Sequence, residues 1–249
     1  MNDSVVYALD FDGVICNSAL ETGMSGWKAA CRIWSDMPKV LPPGMLDRFR
    51  RIRPIIETGY ESVLAMRMIW AGASADRVSG GYVAEFRRLM DEAGVDSEDL
   101  KKLFGDTRDA WIAADKMEWI RENPLYPGVA EKLARLAQTG FWYVITTKQE
   151  RFVNMILDAS HIDLPEDRIF GLDRKMSKAE VLKLLVQRHS GQMIQFVEDR
   201  LQTLQKIQQE PELTSIRLFF ALWGYNTDEE KRLAASHGFE QISLNAFLA

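Results

Sequence analysis

The sequence predicts an α/β protein, a doubly wound parallel sheet interrupted by an α-helical insert. Two observations predict it. After residue 124 short apolar, β-rich runs recur, each followed by a stretch of helical spacing, and that alternation implies βαβ units with right-handed crossovers. Between about Glu21 and Asn123 no such run appears, and the apolar residues recur instead at three and four positions.

The elements follow in order. Val5 to Leu9 (VVYAL) is unbroken in its hydrophobicity, which reads as a strand buried on both faces. In the insert, Trp27, Ala30 and Cys31, then Val63, Met66, Ile69 and Trp70, then Val83, Phe86, Leu89 and Met90 mark helix faces. Pro42-Pro43-Gly44 and Gly80-Gly81 are expected to divide these helices. Pro127-Gly128 opens a helix through Leu133 and Leu136 that stops at Gly140. Strands are then expected at Phe141 to Thr146, Ile169 to Gly171, Met193 to Val197 and Ile216 to Leu222. Helices are expected at Gln149 to Ala159, Ser177 to Arg188, Leu201 to Gln208 and Asp228 to His237. The expected organisation is a Rossmann-like core of residues 1–20 and 124–249 carrying a helical cap of residues 21–123. The hinges are expected near Cys16 to Leu20 and near Asn123 to Pro127, where Pro124 and Pro127 restrict the second crossing.

The bulk properties exclude several function classes. With 249 residues the chain is long enough for one large domain plus an appendage, and 47% hydrophobic with 27% charged residues is ordinary for a soluble enzyme. No apolar run approaches the ~20 residues that span a bilayer, so no membrane partner is expected. A net charge of −5 argues against broad nucleic-acid binding but leaves room for a small anion in a locally cationic pocket. Cys16 and Cys31 form neither a metal-type pair nor a disulfide framework, and the opening MNDSVV lacks a basic leader. A cytoplasmic protein is the expectation.

In doubly wound sheets ligands sit beyond the carboxyl ends of the strands. The first strand ends in Asp10-Phe11-Asp12-Gly13, the second in Thr146-Thr147-Lys148, and a later one in Glu198-Asp199. A helix start in between carries Lys175, Ser177 and Lys178. Acids, hydroxyls and cations therefore converge on one edge of the sheet.

This set resembles the haloacid-dehalogenase-like superfamily, in Asp10-Phe11-Asp12-Gly13-Val14, Thr146, Lys178 and Glu198-Asp199. The stretch PLYPGVAEKLARLAQTGFWYVITTK is similar to the phosphoglycolate-phosphatase-like branch of that superfamily, which carries a helical cap. The resemblance covers Val5 to Ser18 and Leu125 to about Leu248. It implies a Mg²⁺-dependent phosphatase of small phosphorylated metabolites working through an aspartyl-phosphate. Asp10 is the implied nucleophile, and Asp12 the acid that protonates the leaving oxygen and then activates water. Thr146, with Thr147 beside it, and Lys178 are the implied phosphoryl-binding groups, Lys175 being the competing lysine. The implied metal ligands are Asp10, the Asp12 carbonyl and Asp199, with Glu198 as a ligand or as a partner behind one.

Two departures qualify the resemblance. Many relatives carry a further acid four residues after the position of Asp199, where this chain has Thr203. True dehalogenases lack the second aspartate, so Asp12 points to phosphoryl transfer. A phosphosugar mutase is the nearest enzymatic alternative, and a binding or regulatory protein on the same fold is the alternative from another class.

The remaining features read as structural. His161, His189 and His237 lie far apart and suit surface or capping roles. The aromatic and methionine residues Trp27, Met66 and Trp70 suit a core. Arg48, Arg50, Arg51 and Arg53 suit a solvated helix face, with Arg53 the candidate to touch an anionic substrate from a cap.

Overall fold

The computed structural model describes residues 5–249, and the side chains of all of these except 75–81 and 139. The strands are β1 (Val6–Leu9), β2 (Phe141–Ile145), β3 (Ile169–Phe170), β4 (Ile194–Glu198), β5 (Arg217–Ala221) and β6 (Glu240–Ile242). They form one parallel sheet in the order β3-β2-β1-β4-β5-β6. The doubly wound α/β fold expected from the sequence is thus the one observed. Its order has a consequence for function. The chain winds outward from β1 through β2 to β3, then returns to β4 on the other side of β1. The switch point, where a ligand crevice opens in such sheets, therefore lies at the carboxyl ends of β1 and β4.

The chain divides into two compact units, one of Met1–Asn17 with Pro124–Ala249 and one of Ser18–Asn123. The boundary falls at Ser18 rather than at the expected residue 21, because the first helix already starts at Ala19. The two crossing segments lie side by side within the sheet unit: the Asn17 amide donates to the Pro124 carbonyl at 2.8 Å and the Tyr126 amide to that of Ile15 at 3.0 Å.

The helical unit contains α1 (Ala19–Ile33), α2 (Met45–Ile52), α3 (Glu61–Trp70), α4 (Ala75–Ala93), α5 (Ser97–Ala114) and α6 (Lys116–Arg121). Trp27 from α1, Phe49 from α2, Val63, Met66 and Ile69 from α3 and Phe86 and Leu89 from α4 share one buried cluster. Gly80-Gly81 does not divide the chain as expected, for α4 runs through both. Two glycines cost about 1 kcal/mol each in a helix interior. Burying Phe86 and Leu89 on the same helix recovers about 1.5–3 kcal/mol apiece, which decides in favour of the helix. A buried ion pair also ties this unit together. Arg108 of α5 donates from Nε and Nη2 to the two oxygens of Glu21 in α1, at 2.7 and 2.6 Å. Ser25 and Trp119 donate to the same carboxylate at 2.6 and 3.2 Å.

The sheet unit carries α7 (Val129–Thr139), α8 (Glu150–Ala159), α9 (Lys178–Arg188), α10 (Leu201–Gln208), α11 (Asp228–Ser236) and α12 (Leu244–Leu248). Alternation along the strands sends Val6, Ala8, Tyr143, Ile145 and Phe196 to one face, where they pack with Val181 and Leu185 of α9 and Leu201 and Leu204 of α10. Capping boxes start α9 (Ser177 with Glu180) and α11 (Thr227 with Glu230), which is why both helices begin where the sequence places them. β6 and α12 were not anticipated: Glu240 and Gln241 are exposed, so this edge strand carries no apolar run.

Of the histidines, His237 bonds the Leu233 carbonyl at the end of α11, a capping role. His189 is the C-cap residue of α9, its amide donating to the Leu185 carbonyl at 2.9 Å, and it is buried rather than at the surface, with its Nε2 2.8 Å from the Tyr143 hydroxyl. Among the described residues no helix is long and apolar enough to cross a membrane.

Candidate active site

The site grows out of the parallel ladder. Leu9 is level with Val197, and the Asp10 amide donates to the Val197 carbonyl at 3.0 Å, extending the register by one residue. Asp10 therefore lies next to Glu198, the last residue of β4. On the other flank the Thr146 amide donates to the Phe170 carbonyl at 2.8 Å, which carries β2 one residue past its end. After Asp10 the chain turns sharply. The Cys16 amide returns to the Phe11 carbonyl at 2.8 Å, and Gly13 sits at φ +97°, a conformation that favours glycine.

Lys178 enters from the first turn of α9. Its Nζ donates to Asp10 Oδ1 at 2.7 Å and to Glu198 Oε2 at 2.6 Å. Lys175, the competing lysine, is exposed and holds a left-handed backbone three residues earlier. Glu198 is further engaged through Oε1, which accepts from the Asp199 and Arg200 amides at 3.1 and 3.0 Å. Asp10, Glu198 and Asp199 are all buried, and each offers a carboxylate oxygen within 4.8 Å of the others. An oxygen-only set of this kind suits a hard divalent cation.

Asp199 is seated by its surroundings. The Tyr225 amide donates to Asp199 Oδ2, and Asn226 Nδ2 donates to the Asp199 carbonyl at 3.2 Å. Two glycines make room for it. A Cβ on Gly13 would lie 2.0 Å from Asp199 Oδ2, and one on Gly224 would lie 2.2 Å from Asp199 Cβ. Neither position accommodates a side chain without moving this acid.

The charge balance explains the two principal shifts. Burial pushes Asp10 up to about 7, opposed by the Lys178 ammonium and aided by the neighbouring Glu198 and Asp12 carboxylates. Burial alone would lower Lys178, but Asp10 and Glu198 outweigh it and hold the ammonium well above its ordinary range. The two shifts look contradictory for one pair. They agree once Lys178 is seen to serve two acids: its own charge is secure, whereas Asp10 and Glu198 share a single cation.

The other candidates are placed as follows. Asp12 Oδ1 accepts from Lys148 Nζ at 2.9 Å, so its carboxylate faces a different lysine from that of Asp10. Thr146 is buried, and its hydroxyl oxygen accepts from the Lys148 amide at 3.1 Å. Thr147 is half-buried beside it. Arg53 belongs to the helical unit, where it is buried and donates from Nη1 to the Ile56 carbonyl at 2.9 Å. Thr203 lies in α10, and its amide donates to the Arg200 carbonyl at 3.1 Å. Sequence reasoning placed Lys148 at the strand end without a role, and missed Gly224, Tyr225 and Asn226. The signal for these three was available: they follow β5, whose carboxyl end shares the same edge of the sheet.

Comparison with known proteins bears on this geometry. No protein-family profile matches the sequence, and no curated protein matches it. Solved structures do. A protein called a predicted phosphoglycolate phosphatase from Haemophilus somnus matches with a TM-score of 0.60 at 17% identity, over 100% of this chain and 96% of its own. A haloacid dehalogenase-like family hydrolase from Streptococcus pneumoniae matches with a TM-score of 0.56 at 16% identity, over 98% and 95%. This chain has the haloacid-dehalogenase-like fold. A protein called a predicted phosphatase from Clostridium acetobutylicum aligns similarly, at 18% identity with a TM-score of 0.55, over 96% of this chain and 93% of its own. At such identities the likeness speaks for the fold, and the chemistry rests on this chain's own residues.

Proposed function

We propose that this haloacid-dehalogenase-like fold is a Mg²⁺-dependent phosphatase of small phosphorylated metabolites, with Asp10 as nucleophile. The observation that carries the reading is the buried group at the switch point of the sheet, where Asp10, Glu198 and Asp199 gather around Lys178. A phosphate ester resists attack because its anionic oxygens repel nucleophiles, so charge must be neutralised before a carboxylate can approach. Mg²⁺ would be held by Asp10 and Asp199, with the Asp12 carbonyl, while Glu198, whose oxygens accept from Lys178 and from the Asp199 and Arg200 amides, holds Lys178 in place. When bound, Mg²⁺ supplies positive charge against the phosphoryl oxygens.

The chain's own groups divide the remaining roles. Asp10 attacks phosphorus, its oxygen forming a bond as the bond to the leaving oxygen breaks. Asp12 gives its proton to that leaving oxygen and then takes one from the water that hydrolyses the aspartyl-phosphate. Lys178 offsets phosphoryl charge, and Thr146 hydrogen-bonds a phosphoryl oxygen. The helical unit, inserted directly after the nucleophile loop, serves as a cap that selects substrate.

The test is phosphate release from a panel of phosphorylated metabolites with Mg²⁺, with EDTA, and with D10N. Turnover that needs Mg²⁺ and disappears in folded D10N is expected. Undiminished turnover by D10N, purified free of other phosphatases, would overturn the assignment.

A further inference from the structure

A second lysine, distinct from Lys178, bonds an acid of the site. Lys148, in the loop after β2, donates from Nζ to Asp12 Oδ1 at 2.9 Å, its side chain fully buried while that of Asp12 keeps 18% exposure. The backbone beneath this lysine is anchored at both polar groups. Its amide donates to the Thr146 hydroxyl oxygen at 3.1 Å, and its carbonyl accepts from the Leu172 amide at 3.0 Å. Gly171 packs so closely that a Cβ there would lie 2.4 Å from the Lys148 carbonyl oxygen.

This arrangement makes the lysine the fixed member of the pair. A buried ammonium is costly without a partner, and the backbone beneath it is tied by two hydrogen bonds and packed closely against Gly171. Lys178 thus bonds Asp10 and Glu198, and Lys148 bonds Asp12.

We propose that Lys148 is a positioning residue that fixes the orientation of the Asp12 carboxyl group for proton exchange with the leaving oxygen. The proposal rests on the phosphatase reading above. With Oδ1 held by the ammonium, the rotation of the carboxyl group is restricted, its proton sits on Oδ2, and the ammonium stabilises the carboxylate left when that proton has passed to the leaving oxygen. Lys148 then acts on the proton-transfer part of the reaction and leaves phosphoryl binding to Lys178 and Thr146. That separation predicts a dependence on leaving group. An aryl phosphate departs as a stabilised phenolate and needs little protonation, whereas an alkyl phosphate departs as a poor leaving group and needs the acid.

The experiment compares wild type, K148M and K148R on p-nitrophenyl phosphate and on β-glycerophosphate, with Mg²⁺. For K148M, kcat on the alkyl ester should fall about 10- to 100-fold, against less than about 3-fold on the aryl ester, with KM nearly unchanged on both. K148R, which keeps the charge, should recover part of the alkyl activity. Adding K148M to D12N should cost nothing further. Circular dichroism and a thermal melt check folding, and K148Q carries the same comparison if K148M does not fold. Equal losses on both esters, a loss confined to KM, or no loss would overturn the proposal while leaving the phosphatase reading intact. Absence of wild-type turnover on these esters and across the metabolite panel would instead overturn that reading, and this proposal with it.

Discussion

Replacing Asp10 with Asn tests the electrostatics of the site separately from turnover. In the folded protein without metal the Asp10 carboxyl is pushed from its ordinary 3.8 to about 7, chiefly by burial. The native state therefore holds a proton that the unfolded chain has already released, and the sign follows from that. The stability contributed is fully present below pH 3.8 and is lost as pH rises through about 7. Each tenfold change in proton affinity is worth 1.36 kcal/mol, so the whole window corresponds to at most about 4 kcal/mol. Sharing Lys178 with Glu198 reduces it. In D10N the amide stands in for the protonated acid at every pH, so the difference between wild type and variant isolates this one group. Urea unfolding in EDTA at about pH 5 and about pH 8 should show D10N gaining on wild type by up to about 3 kcal/mol at the higher pH. Mg²⁺ at a hundredfold excess over its dissociation constant should then stabilise wild type at the higher pH by about 2.7 kcal/mol, and D10N by much less. A gap between wild type and D10N that does not change with pH would refute the reasoning.

Two further predictions concern the supports of the site and of the helical unit. In G224A the new Cβ would meet Asp199 Cβ at 2.2 Å and the Gly13 carbonyl oxygen at 2.7 Å, contacts that no side-chain rotation relieves. The variant should lose about 1–3 kcal/mol in urea unfolding and give a smaller thermal shift with Mg²⁺; an undiminished shift would show that Asp199 is not seated as described. E21Q leaves buried Arg108 without its charged partner and should destabilise by about 3–5 kcal/mol, whereas the double variant E21Q/R108M, which keeps an acceptor for Ser25 and Trp119, should be much closer to wild type. Tryptophan fluorescence reports the unfolding, and an E21Q loss under about 1 kcal/mol would count against the ion pair.

The parts of the fold legible in the sequence are those whose signal is local. VVYAL reads as a buried strand because both faces of β1 are covered, leaving no polar alternation to dilute the run. Ser177 and Thr227 mark helix starts because a capping box closes within four residues of chain. The reading failed where tertiary packing overrode a local preference. Gly80-Gly81 is a breaker by propensity, yet α4 continues through it because Phe86 and Leu89 on the same helix are buried in the core. β6 was invisible because an edge strand of Glu240, Gln241 and Ile242 is held by main-chain pairing with β5, which leaves no hydrophobic pattern.

The sequence by itself determined which residues arrive at the carboxyl edge of the sheet, because a parallel strand of known length delivers whatever follows it to that edge. Asp10, Asp12, Thr146, Lys148, Glu198 and Asp199 were all legible in this way. Only the tertiary structure decided who meets whom there. Lys178 rather than Lys175 reaches Asp10, Lys148 pairs with Asp12, and Asp199 sits between Gly13 and Gly224 under the Tyr225 amide. The hydrogen bonds among these join residues from 26 to 168 positions apart in the chain. Their partners are chosen by strand order and burial, and neither quantity exists until the sheet has closed around them.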